Sequence, residues 1–142
     1  MIDPDFSAMP GHLIRRAHQL AVAQFMEATR KHDVTPVQYA LLAALAQSPE
    51  DVDQVTLAHR AALDTSTAAS TLDRMETKGW IERRTDPNDR RRRVLHITRA
   101  GSGFIKRVAK DVSAAQAQIL APLSVGERET LCVLLSKITA TG

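Results

Sequence analysis

Six arginines, Arg83, Arg84 and Arg90 to Arg93, fall within residues 83–93 of this chain. Short apolar stretches of strand character flank them, Trp80-Ile81 before and Val94-Leu95-His96-Ile97 after, and the turn between is written Asp86-Pro87-Asn88-Asp89. That order, strand signal, turn residues, strand signal, predicts a β-hairpin with arginines on and beside its tip. A hairpin tip is remote from any core, and like charges at this density repel unless an anion compensates them. Phosphate fits, because guanidinium offers it a planar, two-pronged set of donors. A charge run taken alone reads more simply as a solvated face. The residues that precede the hairpin decide between the two.

Upstream, Ile14, Ala17, Ala21, Phe25 and Ala28 recur at helical spacing and predict a long helix from about Pro10 to His32. Thr35-Pro36-Val37-Gln38 has the form of a capping box with proline in the first turn. The helix it opens, Pro36 to Gln47, is apolar on most sides and is expected to be buried. Ser48-Pro49-Glu50-Asp51 breaks the pattern. A short helix over Gln54 to Ala62, a turn at Leu63-Asp64-Thr65 and a helix over Ser66 to Lys78 follow, with Gly79 placed to close the last in the left-handed conformation. Beyond the hairpin, a second long helix runs from Arg99 to about Ala121. Pro122 interrupts it, and Ser124-Val125-Gly126-Glu127 caps a final helix bearing Leu131, Leu134, Leu135 and Ile138.

Two short helices joined by a tight turn and followed by a hairpin make a winged helix-turn-helix. In the second helix Ala68, Leu72 and Met75 share an inward face, whereas Ser66, Thr67, Ser70 and Arg74 share the other. Short hydroxyl side chains let a helix approach the major groove, and Arg74 is long enough to reach a base or a phosphate. An ordinary solvent-exposed face would look the same, but the basic hairpin directly downstream favours DNA. Arg90 to Arg93 lie at the tip and the start of the return strand, where an arginine suits a narrow minor groove. Asp89, two residues before Arg91, either pairs with that guanidinium or braces the turn. Arg83 and Arg84, on the outgoing strand, touch phosphates or nothing.

Charge supports the same surface. The segment 83–93 sets six arginines against Asp86 and Asp89, a local +4 in a chain of 142 residues whose formal net charge is +3, so the remainder carries −1. Localised positive charge is the footprint of a nucleic-acid partner. Aromatic residues are only 4%, too few for a stacking platform for single strands. No apolar run is long enough to span a bilayer, and the opening Met1-Ile-Asp-Pro-Asp-Phe6 lacks the pattern of a signal peptide. With Cys132 as the single cysteine no intrachain disulfide forms, and the expected compartment is the cytoplasm.

The segment Leu72-Asp-Arg-Met-Glu-Thr-Lys-Gly-Trp-Ile-Glu-Arg83, the turn Asp86-Pro-Asn-Asp-Arg-Arg91 and the stretch Leu95-His-Ile-Thr-Arg-Ala-Gly101 together resemble the MarR family of transcriptional regulators. The likeness covers nearly the whole chain. It implies a mainly α fold: one MarR-type domain over residues 1–142, with a winged helix-turn-helix lobe at about 35–100 and dimerisation helices at about 10–32 and 100–142. It also implies a homodimer that binds double-stranded DNA at a palindrome, with Arg91 in the minor groove, Asp89 as its brace, and Arg92 and Arg93 making the wing more basic than the family needs. The apolar stripes of the terminal helices point to a two-fold partner independently, because a small winged unit cannot bury them all.

A sensing function is read from the first helix. Arg15 and His18 share a face with Val22, next to apolar helices, and an arginine and histidine one turn apart suit a carboxylate or phosphate. They would equally suit ion pairs within a dimer. Family members of this type respond to aromatic carboxylates or their CoA thioesters, bound between the dimer helices and the DNA-binding lobe. The resemblance therefore implies a small-molecule effector held by Arg15, with Arg16 as substitute and His18 as support. Cys132 reads as an apolar filler in a buried helix face. The five histidines show no metal-ligand spacing, Gly101-Ser-Gly103 is too short for a nucleotide loop, and no nucleophile or carboxylate pair suggests an enzyme, so no cofactor is expected. An effector-independent DNA-organising protein is the alternative, distinguished by a low specificity ratio.

Overall fold

The computed structural model describes residues 5–48 and 50–140. Met1 to Pro4 and Pro49 lie outside the described residues, and with them most of the opening segment and the proline of the Ser48–Asp51 break. The fold is mainly helical, with six α-helices and a three-stranded antiparallel sheet among the described residues. Two compact units divide it, one spanning residues 29–110 and the other combining residues up to 28 with those from 111 onward.

In the second unit, α1 runs Pro10–Ala28 after a single 3-10 turn, Phe6–Ala8, capped by Asp5. The sequence extends this helix to His32, but it stops at Ala28. Residues Arg30–His32 tighten into a 3-10 turn that ends at Asp33 in the left-handed region (φ 52°), a conformation that aspartate tolerates and that redirects the chain. The last helix, α6 (Val125–Thr139), starts at a reciprocal cap: Ser124 Oγ accepts from the Glu127 N–H and Glu127 Oε1 accepts from the Ser124 N–H. Its apolar side chains Val133, Leu134, Leu135 and Ile138 are 40–60% exposed, and Leu13, Ile14, Leu20 and Met26 of α1 are nearly as open. Cys132 is exposed too, not the buried filler expected, because none of the described residues covers that side of α6.

The unit at 29–110 holds the tightest core, built on Leu41, Leu42, Leu57, Leu72, Met75, Ile81, Leu95 and Val108, each less than 2% exposed or at 2%. Burial of each stabilises by about 1.5–3 kcal/mol before entropy is counted. Its first helix, α2 (Pro36–Ala46), has the predicted capping box between Thr35 and Gln38. Next come β1 (Val52–Asp53), α3 (Gln54–Arg60) and α4 (Thr65–Thr77), the helices capped by Asp53 and Asp64. Both end in the same geometry. After α4 the Trp80 N–H returns to the Met75 carbonyl around Gly79 (φ 81°), and after α3 the Leu63 N–H returns to the Ala58 carbonyl around Ala62 (φ 56°). Glycine takes the left-handed position without strain, whereas alanine there costs on the order of 1 kcal/mol.

The hairpin is β2 (Ile81–Asp86) and β3 (Asp89–Ile97), and β1 pairs with the far edge of β3 to give the order β1-β3-β2. The sequence shows no sign of β1, which has two residues and owes its form to pairing Val52 with Leu95 and Asp53 with Val94. β3 is thereby central, and its Val94 and Leu95 are both buried. From β3 the chain enters α5 (Arg99–Ile119) through Thr98, whose N–H donates to the Trp80 carbonyl and whose Oγ1 accepts from the Gly101 N–H. A Cβ on Gly101 would meet that carbonyl oxygen at 2.1 Å, so glycine is required. Phe104, one turn further, stacks on Trp80 with ring centroids 4.1 Å apart. The hairpin base is thus fixed to α5.

Candidate nucleic-acid interface

α4 presents Ser66, Ser70 and Arg74 on one exposed stripe, with Thr67 beside it, while Ala68, Leu72 and Met75 turn into the core. The period of the sequence alone dictates this split. Two of the hydroxyls have local duties. Thr67 Oγ1 donates to Asp64 Oδ2 at 2.7 Å, completing the cap, and Ser70 Oγ donates to the Thr67 carbonyl at 3.2 Å. Each keeps acceptor capacity, but donation toward a phosphate falls first to Ser66 and Arg74. Asp64 is held below the usual carboxylate range by the Thr67 N–H and hydroxyl, so the helix start remains negatively charged on its cap and polar beyond it.

The six arginines separate into two groups. Arg83 points back onto the helices: its guanidinium meets Asp73 at 2.9 Å, Glu76 at 3.2 Å and Gln54 at 3.4 Å, and its side chain is 13% exposed. The expectation that it touches phosphate or nothing is corrected, because β2 leaves α4 so closely that carboxylates of that helix lie within reach of residue 83. Arg92 is likewise engaged, with Asp53 at 2.8 Å and Asp86 at 2.9 Å. Arg84 pairs with Glu82 on its own strand. Arg90, Arg91 and Arg93 are exposed and have no ion pair among the described residues. Asp89 takes the second of its two anticipated roles: its Oδ1 accepts the Arg91 N–H at 3.0 Å, which shapes the turn and leaves the Arg91 guanidinium outward.

Two carboxylates behind this surface, Asp53 and Asp86, are held below the usual carboxylate range. Asp53 is lowered to about 2, first by the Thr56 N–H that it caps and then by Arg92. Asp86 is lowered by the Asn88 N–H and again by Arg92, whose own pKa is raised by the two acids. Of the four partners only Asp86 had been singled out in the sequence, and as a turn residue; Asp53, Asp73 and Glu76 had not been read as partners of the arginines. The spacing from Glu76 to Arg83 across the Gly79 turn was the one available signal.

On α1, Arg15, Arg16 and His18 are all exposed. Arg15 Nη2 lies 3.1 Å from Nδ1 of His12, one turn back, whose ring sits 4.3 Å from that of Phe6. Within the chain Arg15 is thus paired with His12, a neighbour that the sequence reading did not name. The i−3 position is the one within reach here. Among the described residues no group of three or more metal-binding side chains exists, and no helix is long and apolar enough to cross a membrane.

Residues 32–92 match the model of the MarR family. A putative transcriptional regulatory protein for the hcr operon of Thauera aromatica is 35% identical over 129 residues, 90% of this chain and 77% of that protein. The homoprotocatechuate degradative operon repressor of Escherichia coli is 28% identical over 89% of this chain and 85% of its own length. Among solved structures, Bordetella bronchiseptica BpsR, described with a mechanism for regulation of its DNA binding by 6-hydroxynicotinic acid, superposes with a TM-score of 0.91 at 25% identity, covering 97% of this chain and 98% of that one. Helix-turn-helix, basic wing and matched relatives define a winged-helix transcriptional regulator. The chain belongs to the MarR family.

Proposed function

We propose that this chain acts as a homodimer on a palindromic operator in the cytoplasm, represses transcription there, and is released by a small aromatic acid or its CoA thioester. The wing tip carries the reading. The side chains of Arg90, Arg91 and Arg93 are exposed and form no ion pair among the described residues, and the same unit carries the acid-free stripe Ser66, Ser70 and Arg74. In this reading Arg91 enters the minor groove, Arg90 and Arg93 meet phosphates with Arg84 in a lesser part, and the α4 stripe lies in the major groove. Dimerisation is supported by the open apolar side chains of α1 and α6, which a second copy would cover.

The effector is argued by analogy with BpsR, whose DNA binding is regulated by 6-hydroxynicotinic acid, and with the homoprotocatechuate degradative operon repressor. Arg15 is the proposed anion contact, with Arg16 and His18 nearby on the helix. Fluorescence anisotropy tests both halves. A palindrome selected from random duplexes should bind at least about 1,000-fold more tightly than bulk DNA. Equal affinities would favour an effector-independent DNA-organising protein instead. A thermal-shift screen of aromatic acids and their CoA esters should then find a compound that raises stability by mass action and dissociates the operator. Arg15→Ala should keep operator binding and lose that release, and retained release would place the anion contact elsewhere.

A further inference from the structure

Arg92 differs from the arginines on either side of it in the strand. Side chains alternate along β3, so Arg91 and Arg93 share one side and Arg92 takes the other. There its guanidinium is met by two carboxylates that are themselves immobilised. Asp53 uses Oδ1 to accept the Thr56 N–H at 2.8 Å, which caps α3, and Oδ2 to accept from Arg92 Nη2 at 2.8 Å and Nε at 3.2 Å. Asp86 uses Oδ1 to accept the Asn88 N–H at 2.9 Å, which closes the wing turn, and Oδ2 to accept from Arg92 Nη1 at 2.9 Å. One planar cation therefore joins the start of α3 to the turn of the wing, through acids that each have one oxygen already committed to backbone.

We infer that Arg92 is a positioning residue: it fixes the angle of the wing against the helix-turn-helix, so that Arg90, Arg91 and Arg93 are delivered to the DNA, and it contacts no phosphate itself. The inference rests on the DNA-binding reading above. Partly exposed ion pairs add little stability when two flexible side chains must be ordered to form them. Here both acids are pre-ordered and the fork is rigid, so the pairing constrains direction more than it stabilises. With two carboxylates against one guanidinium, the cluster has a net charge of −1 and offers no surplus cation to a phosphate.

The two roles predict opposite signs for one variant. Asp53→Ser keeps a good helix cap, removes the clamp, and makes the DNA-facing surface more positive. If Arg92 positions the wing, operator affinity falls about 10-fold while binding to bulk DNA holds or tightens, and Arg92→Lys, which keeps the charge but not the fork, falls between wild type and Arg92→Ala. If Arg92 is instead a phosphate contact that the acids restrain, Asp53→Ser tightens operator binding, and the inference is overturned. A readout without DNA separates this from failure of the DNA reading. Spin labels at Asn88→Cys and His59→Cys, in a Cys132→Ser background, should give a distance distribution that Asp53→Ser broadens. An unchanged distribution overturns the clamp whatever the protein binds, whereas a broadened one in a protein with no operator preference upholds the clamp and removes the regulator.

Discussion

The base and the tip of the hairpin are built from the same residue type to different ends. At the base, Arg83 is nearly enclosed by Asp73, Glu76 and Gln54, Trp80 stacks on Phe104, and the Trp80 carbonyl lies where only a glycine at 101 can pass. At the tip, Arg90, Arg91 and Arg93 stand in solvent on a turn held by backbone bonds to Asp86 and Asp89. The base spends its charges within the protein and gains a fixed direction. The tip, Arg92 apart, leaves its charges for something outside. Counting arginines therefore overstates the wing's capacity for phosphate, and the partners of each guanidinium are what decide it.

The difference can be broken most severely at Gly101. Gly101→Ala drives a methyl group into the Trp80 carbonyl, and loss of several kcal/mol is expected, enough to unfold much of the population at 37 °C. A melting temperature within a few degrees of wild type would show that the base is not held as described. Arg83→Met comes next. It keeps the aliphatic stem, leaves Asp73 and Glu76 uncompensated, and should lower stability by about 1–2 kcal/mol in urea unfolding. Equal stability would mean that the base ion pairs are incidental. The smallest effect is acid dependence. Asp53 has its folded pKa depressed to about 2 from the ordinary 3.8, so its contribution is fully present above pH 4 and lost as pH falls toward 2. Asp53→Asn should flatten that part of the stability profile, and an unchanged acid limb would remove Asp53 from the account.

Much of this was legible because it is local. The Thr35 and Ser124 boxes, the Gly79 turn, the inward face of α4 and the turn of the hairpin all follow from neighbouring residues or from one helical period. What was not legible depends on partners distant in sequence. β1 exists because Val52 and Asp53 lie against the return strand, where Val94 and Leu95 are both buried. Arg83 and Arg92 gave no sign of their pairing with Asp73 and Asp53, which lie on α4 and before α3 and come close only after folding. Ala62 gave no warning of its left-handed backbone, since alanine rarely adopts one. On α1, the contact between Arg15 and His12 was not read from the sequence, because helical spacing gives Arg15 several neighbours and does not choose among them.

The division between tip and base is tested most directly by salt. Operator affinity for single alanine variants at Arg90, Arg91, Arg93, Arg83 and Arg92 would be measured across a salt titration, and the slope of log K against log salt compared with wild type. Each arginine that gives its charge to a phosphate contributes about 0.9 to that slope. The tip variants should lose roughly one unit each, with Arg91→Ala also the weakest binder, while Arg83→Ala and Arg92→Ala keep the wild-type slope even where affinity falls. Equal loss from all five, or a slope unmoved by the tip variants, would contradict the account.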